Sequence, residues 1–363
     1  MKSKTTLTFK KSTLTTLLTL LSINAYAENA VQWSGYLEAY YSENFNDPPN
    51  HKRPSFIFNH DTAQHPAINL AMVKAAFQSS QVRGNLALGS GTYMRSNYAA
   101  EPHRLRNIFE ANAGIKLSDQ HNIWLDVGVM PSHLGFESAI GLDNWTLTRS
   151  LMAEGSPYFE TGAKISYSSA DGKWTTSGLL LTGWQRIHRP DSNTTSSIGH
   201  QIVYKPNDKI IINSSSFIGN DKSDAQRQMR YFHDLYAQIS LNDRWSLIAA
   251  FDIGAEQSKP SSDDYNVWFS PTVVVRYGYS EKLSFAGRFE LFHDKRGVIV
   301  STGTENGFQT TGYSINMDYK FTDFATFRTE LKKMDSRDDV FEKDDSSLTD
   351  NNTILTTALV LRF

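Results

Sequence analysis

The chain has 363 residues, no cysteine, 38 acidic against 36 basic side chains, and 12% aromatic residues. These numbers exclude disulfides and thiolate metal sites, and the acidic balance speaks against a nucleic-acid partner, which would need a basic surface. The sequence is polar on average, which excludes a bundle of membrane helices but allows a membrane barrel, where only alternate residues meet lipid.

The chain opens with Lys2, Lys4, Lys10 and Lys11, a short apolar stretch from Leu14 to Ile23, and Ala25-Tyr26-Ala27. A basic start, an apolar run too short to span a bilayer and a small-x-small site predict a signal peptide over residues 1–27, cleaved after Ala27. Removing its four lysines from the 36 basic residues leaves 32 against 38 acidic ones. The mature part, residues 28–363, is then acidic by about 6 charges at neutral pH, with ordinary side-chain ionisation.

Beyond that point the hydrophobic period is close to two. Ile123, Leu125, Val127 and Val129 alternate with Trp124, Asp126 and Gly128, and Trp245 to Ile253 alternate in the same way. In the last segment Leu355, Thr357, Leu359, Leu361 and Phe363 share one face while Arg362 takes the other. Such alternation marks two-faced strands. Sixteen are predicted, at 31–41, 67–78, 82–94, 104–117, 122–130, 158–168, 174–188, 197–205, 210–218, 230–241, 245–256, 265–279, 283–293, 308–321, 324–334 and 352–363, with fourteen as the rival count. Short polar turns take turns with long loops, as in outer-membrane barrels with short periplasmic turns and long outer loops. The fold class expected is an all-β, transmembrane, antiparallel β-barrel forming one domain.

With apolar residues facing lipid, in-phase charges must face the lumen, because a charge in hydrocarbon is costly. Arg106, Glu110, Asp126, Asp252, Arg276, Arg288, Glu290, Asp318, Arg328 and Glu330 are the candidates for the lumen wall. A barrel of sixteen strands ordinarily encloses water, so these charges are expected to be solvated.

The segment from Pro131 to Pro157 carries Leu134, Phe136, Ile140, Leu142, Trp145, Leu147 and Leu151. It is too apolar for a loop in water and too long to lack a role, so it is expected to fold inward and narrow the barrel. Glu137, Asp143, Arg149 and Glu154 are its candidate constriction residues. His51, His60 and His65 in the first long loop have irregular spacing and no neighbouring carboxylate set, and no metal or other cofactor is assigned to them. The acidic stretch from Asp335 to Asn351 reads as a solvated outer loop able to hold divalent ions against lipopolysaccharide. His233 and His293 fall in phase with the apolar face, but no nucleophile elbow or His-Glu-x-x-His pattern accompanies them, so no enzyme is expected.

Leu142-Asp143-Asn144-Trp145-Thr146-Leu147-Thr148-Arg149-Ser150, then Ser156-Pro157-Tyr158-Phe159 and Thr161-Gly162, resemble the putative β-barrel porin-2 family of OmpL-like outer-membrane proteins. Val129-Met130-Pro131 and Leu134-Gly135-Phe136-Glu137 fit the same pattern. The resemblance implies a barrel in the outer membrane of a Gram-negative cell, with Asn144, Arg149, Ser150 and Pro157 fixing how the loop meets the wall. It implies no catalytic residues. The function expected is passive diffusion of small hydrophilic solutes or ions through a porin-like channel. The alternative is a non-conducting barrel with a plugged lumen, acting as receptor, adhesin or docking protein. Expected partners are outer-membrane lipid and lipopolysaccharide, the solutes, the barrel-assembly machinery through Phe363, and a second copy of the chain.

Overall fold

A computed structural model describes residues 30–363; the expected signal segment lies outside the described residues. Among the described residues eighteen strands are formed, β1 (Gln32–Asn44), β2 (Ala67–Gln78), β3 (Val82–Ser90), β4 (Ile108–Lys116), β5 (Asn122–Pro131) and β6 (Phe159–Ser168) being the first six. They continue with β7 (Trp174–Leu181), β8 (Ser197–Asn207), β9 (Ile210–Gly219), β10 (Arg230–Ser240), β11 (Trp245–Gln257) and β12 (Tyr265–Gly278). The last are β13 (Leu283–Asp294), β14 (Phe308–Lys320), β15 (Ala325–Ser336), β16 (Phe341–Glu342), β17 (Leu348–Thr349) and β18 (Asn351–Arg362). Sixteen of them, all but the small β16–β17 hairpin, close into one antiparallel barrel in which β1 pairs with both β2 and β18. Closure leaves no strand edge for lipid to face.

Alternation along each strand sorts the side chains. On β18, Ile354, Thr356, Ala358 and Val360 are buried, while Leu355 and Leu359 stay exposed on the outer wall. Outward residues such as Val73, Leu86, Val127, Ile165, Leu180, Phe251, Phe289 and Ile315 continue that apolar belt. The aromatic pairs Trp174–Tyr204 (stacked) and Trp245–Tyr277 (tilted) ring the short-turn end, and Tyr231–Tyr265 lies at the long-loop end. These are the aromatic girdles of a barrel whose ends meet the two membrane interfaces.

The short turns share a local chemistry. Ser79, Ser118, Asn242, Ser280 and Thr322 each accept a hydrogen bond on the side-chain oxygen from the backbone N–H three residues on. A side chain that mimics a backbone turn closes the hairpin without proline or a long loop.

Three predicted strands differ from those formed. The third ends at Ser90 because Gly91 turns at φ 126°, where a Cβ would collide with the Asn69 carbonyl. The chain then enters a short helix, α1 (Thr92–Asn97), and regains the wall only at Ile108. Arg106 is therefore not part of the lumen wall. It sits in this outer loop, its guanidinium donating to the Glu101 and Ala99 carbonyls at 2.8 and 2.9 Å. The seventh strand stops at Leu181, and Trp184 folds over the rim to pack edge-on against Phe217 and Phe232. The loop after β15 is not wholly solvated either, since Phe341 of its hairpin is fully buried against Phe56.

Candidate functional site

The segment between β5 and β6 crosses the barrel. Those two strands lie opposite β13 and β14 in the ring, and the segment reaches that far wall. The Leu147 and Leu151 N–H groups donate to Asn316 and Glu290 at 3.0 and 2.7 Å, and Thr148 N–H donates to Glu330 at 2.5 Å. In return Arg328 donates to the Gly141 and Asn144 carbonyls at 2.6 and 2.9 Å, and Lys332 to the Arg149 carbonyl at 3.2 Å. Within the segment a single-turn helix, α2 (Leu151–Glu154), starts at Ser150, whose Oγ accepts from Ala153 N–H at 3.1 Å. That is an ordinary N-cap.

Charges from loop and wall meet in one layer. Arg288 lies 3.0 Å from Glu330, 3.5 Å from Glu290 and 3.7 Å from Glu137, while Lys332 holds Glu290 at 2.7 Å. These side chains are 0–2% exposed. Glu137 also accepts from the Ser150 N–H at 2.9 Å. Arg149 donates to the Ala139 carbonyl at 2.7 Å with its guanidinium 5.7 Å from the Tyr158 ring.

Of the four candidate constriction residues, the structure thus brings Glu137 and Arg149 to the central layer. Glu154 lies on the outer side of it. Its carboxylate accepts from Phe58 and Asn59 N–H at 2.9 and 3.3 Å, which clamps the first long loop over the segment. Burial raises the Glu154 pKa despite those donors. Asp143 stands apart, half exposed and paired with Arg362 at 2.8 Å.

Among the wall candidates, Glu110 pairs with Lys74 at 2.6 Å and Asp126 takes a bidentate contact from Arg83. Asp318 pairs with Arg328 at 2.8 Å. Asp252 is buried opposite Asp234, with no hydrogen-bond partner for either oxygen among the described residues. Arg276 lines a cavity of about 420 Å³ at the short-turn mouth.

The solvated charges expected from the strand count are not what the centre of this barrel holds. Arg288, Glu290, Arg328, Glu330 and Lys332 are neutralised by one another and by loop backbone. Three apolar clusters, around Tyr93, Trp268 and Ile248, fill the space between them. The reason is mass: besides the 131–157 segment, Phe56 and Ile57 of the first loop, Tyr93 of α1 and Tyr98 just after it also turn inward. Tyr98 stacks on Phe159 at 4.1 Å.

Packing is uneven. The segment is bonded to β13–β15, and a second cavity of about 420 Å³ remains between it and the arc from β2 to β10, with Lys74, Glu110, Glu137, Gln201 and Tyr236 in its lining. Above, a vestibule of about 760 Å³ opens among the long loops beside Lys52, Arg53 and Arg95.

Sequence reasoning missed several interior groups. Lys332 continues the Arg328, Glu330 phase on β15 and was findable by alternation. His133 was not. It lies just past β5 and bridges Glu160 at 2.6 Å through Nδ1 and the Ser216 carbonyl at 2.8 Å through Nε2. His60 was equally hidden, buried at the end of a loop with Nε2 2.5 Å from Glu38.

The family described as "Putative beta-barrel porin-2, OmpL-like" matches residues 30–363. No curated protein matches the sequence significantly. Solved structures resemble it in fold. The anion-selective porin of Comamonas acidovorans aligns with TM-score 0.59 and 8% identity, covering 92% of this chain and 100% of its own. The channel DcaP of Acinetobacter baumannii gives 0.59 and 10%, with 93% and 99% covered. OprB of Pseudomonas putida gives 0.59 and 10%, with 92% and 94% covered.

Proposed function

The chain belongs to the putative β-barrel porin-2, OmpL-like family and is an outer-membrane protein, and from that membership we propose that it conducts small hydrophilic solutes by passive diffusion. The observation that carries this reading is the lopsided seat of the 131–157 segment. It is fastened to β13–β15 and leaves a cavity of mixed polar and apolar lining along the β2–β10 arc, between an outer vestibule and an inner mouth. The route would run past Lys74, Glu110, Gln201 and Glu137, with the segment as its constriction. Each carboxylate on this lining has a cation beside it (Glu110 with Lys74, Glu137 with Arg288, Asp143 with Arg362), so the field they set up gives only a modest ion preference. Family membership also supports a transport protein rather than an enzyme.

Export by the residues 1–27 segment and recognition of the exposed Phe363 by the assembly machinery complete the reading. Phe363 is 70% exposed at the end of the closing strand.

Purified, refolded protein in a planar bilayer should give discrete single-channel steps. Replacing Ser138 to Arg149 by a short Gly-Ser link should raise the step size several-fold. One observation favours the plugged alternative: the charges of the central layer are out of water's reach. In that case the intact protein is silent and only the shortened loop conducts.

A further inference from the structure

A cluster of four polar side chains interrupts the outer wall on three adjacent strands. His200 on β8, Ser214 and Ser216 on β9 and His233 on β10 all fall in phase with exposed Ile198, Ile202, Ile212, Tyr231 and Leu235. Ser216 stands in register with both histidines. Its hydroxyl lies 2.5 Å from His200 Nδ1, Ser214 Oγ lies 3.5 Å from His233 Nε2, and the two imidazole rings are 6.1 Å apart.

These groups face the belt that meets lipid, where an unsatisfied polar group is costly. A neutral His–Ser pair joined by one hydrogen bond still has one N–H or O–H left over, whichever tautomer it adopts. Two such pairs therefore offer two unspent donors to a medium of hydrocarbon.

Depth and shape say what accepts them. His200, Ser216 and His233 each lie three residues inside the long-loop ends of their strands, roughly 10 Å along the chain at about 3.3 Å per residue. Tyr231 of the outer girdle is the next outward residue above His233. From His200 a groove of about 480 Å³, lined by Gly178, Ile165, Thr176, Tyr167 and Ile123, runs toward the short-turn end. Its floor is low because Gly178 has no side chain. A polar head above and an apolar channel below match one lipid of the outer leaflet.

We propose that this patch is a seat for a single ester-linked membrane lipid: an acyl chain lies in the Gly178 groove, and lipid oxygens accept hydrogen bonds from the His200–Ser216 and His233–Ser214 pairs. A second copy of the chain is the competing occupant; the apolar Gly178 groove running from His200 favours an acyl chain over it. The proposal goes beyond the channel reading and does not depend on it.

Native mass spectrometry of the full-length protein in mild detergent tests it. Dioleoyl phosphatidylglycerol and its dialkyl ether analogue serve as the probes. Two variants accompany the wild type: His200→Leu with His233→Leu, and Gly178→Leu. A Cβ at Gly178 meets only Ile165 at 3.7 Å, so that variant keeps the wall intact. Folding of each is checked by heat-modifiable gel migration.

The wild type should retain one lipid at least tenfold more tightly than either folded variant. Weaker retention of the ether analogue assigns the acceptors to the ester carbonyls, and equal retention assigns them to the phosphate; both support the seat. Equal retention by wild type and variants overturns it. So does an oligomer that binds no lipid and dissociates in the histidine variant, which makes the patch a subunit contact. Release of free fatty acid by the wild type would overturn a binding role in favour of hydrolysis.

Discussion

The ring of Phe363 lies over the bare Cα of Gly35, and the two residues exchange backbone hydrogen bonds, Gly35 N–H to Phe363 O at 2.7 Å and Phe363 N–H to Gly35 O at 3.1 Å. The final residue of the sequence thus completes the β1–β18 seam. A Cβ at Gly35 would press into that ring. Gly35→Val is expected to cost about 1–3 kcal/mol, the usual range for overpacking, and to lower refolding yield into vesicles. Adding Phe363→Ala should recover part of the loss if the two side chains collide. Additive losses in urea midpoints would show that they do not.

Arg288 holds three carboxylates, Glu137, Glu290 and Glu330, in a layer closed to water. Arg288→Met leaves Glu137 and Glu330 without that cation, Glu290 keeping Lys332, so a loss of about 3–5 kcal/mol is expected. The same variant frees the Thr146 and Thr148 contacts that fasten the loop. Tryptophan-monitored urea unfolding in vesicles measures the first effect and open-channel noise the second. A loss below about 1 kcal/mol, at the level of an exposed pair, contradicts the closed layer.

His133 supplies the pH dependence of the loop's base. Burial opposes its protonation, but the Glu160 carboxylate and the Ser216 carbonyl outweigh that and raise its pKa above the ordinary value. A raised imidazole stabilises the fold fully below the unfolded value, near pH 6.5. That contribution is lost as pH climbs through the folded value. Stability should therefore fall on going from pH 6 into the mildly alkaline range, and His133→Gln should flatten that part of the profile. A wild-type curve that rises over the same interval contradicts the assignment.

Glu110 and Lys74 face the cavity proposed as the route. Glu110→Lys turns that part of the lining from balanced to doubly positive, and the reversal potential in a salt gradient should move toward anions. Arg276→Glu, at the short-turn mouth and outside the cavity beside the segment, should move it less, because a charge farther from the constriction acts more weakly there. Equal shifts at both positions would place the constriction elsewhere.

Strand phase was legible because one face of every strand meets lipid, which leaves period-two traces such as Leu355, Leu359 and Leu361. The inward fold of residues 131–157 was legible from its excess of apolar side chains. What hid was pairing across the lumen. Alternation says that Glu330 points inward but not that Arg288, 42 positions earlier, will neutralise it. Nor could periodicity find His60, since a loop residue has no phase. The break after Ser90 turned on one glycine, Gly91, whose backbone alone admits the turn into α1.

The loop's moorings also dictate an order of assembly. Residues 131–157 belong to the middle of the chain, yet their anchors Glu290, Asn316, Arg328, Glu330 and Lys332 arrive with its last quarter. Until β13–β15 are laid down, the backbone N–H groups of Leu147, Thr148 and Leu151 lack their acceptors. Contacts that span so much sequence form late, so the nascent barrel must carry an unmoored segment that the C-terminal strands fasten last. Chains truncated before β13 should be the ones that periplasmic chaperones hold longest.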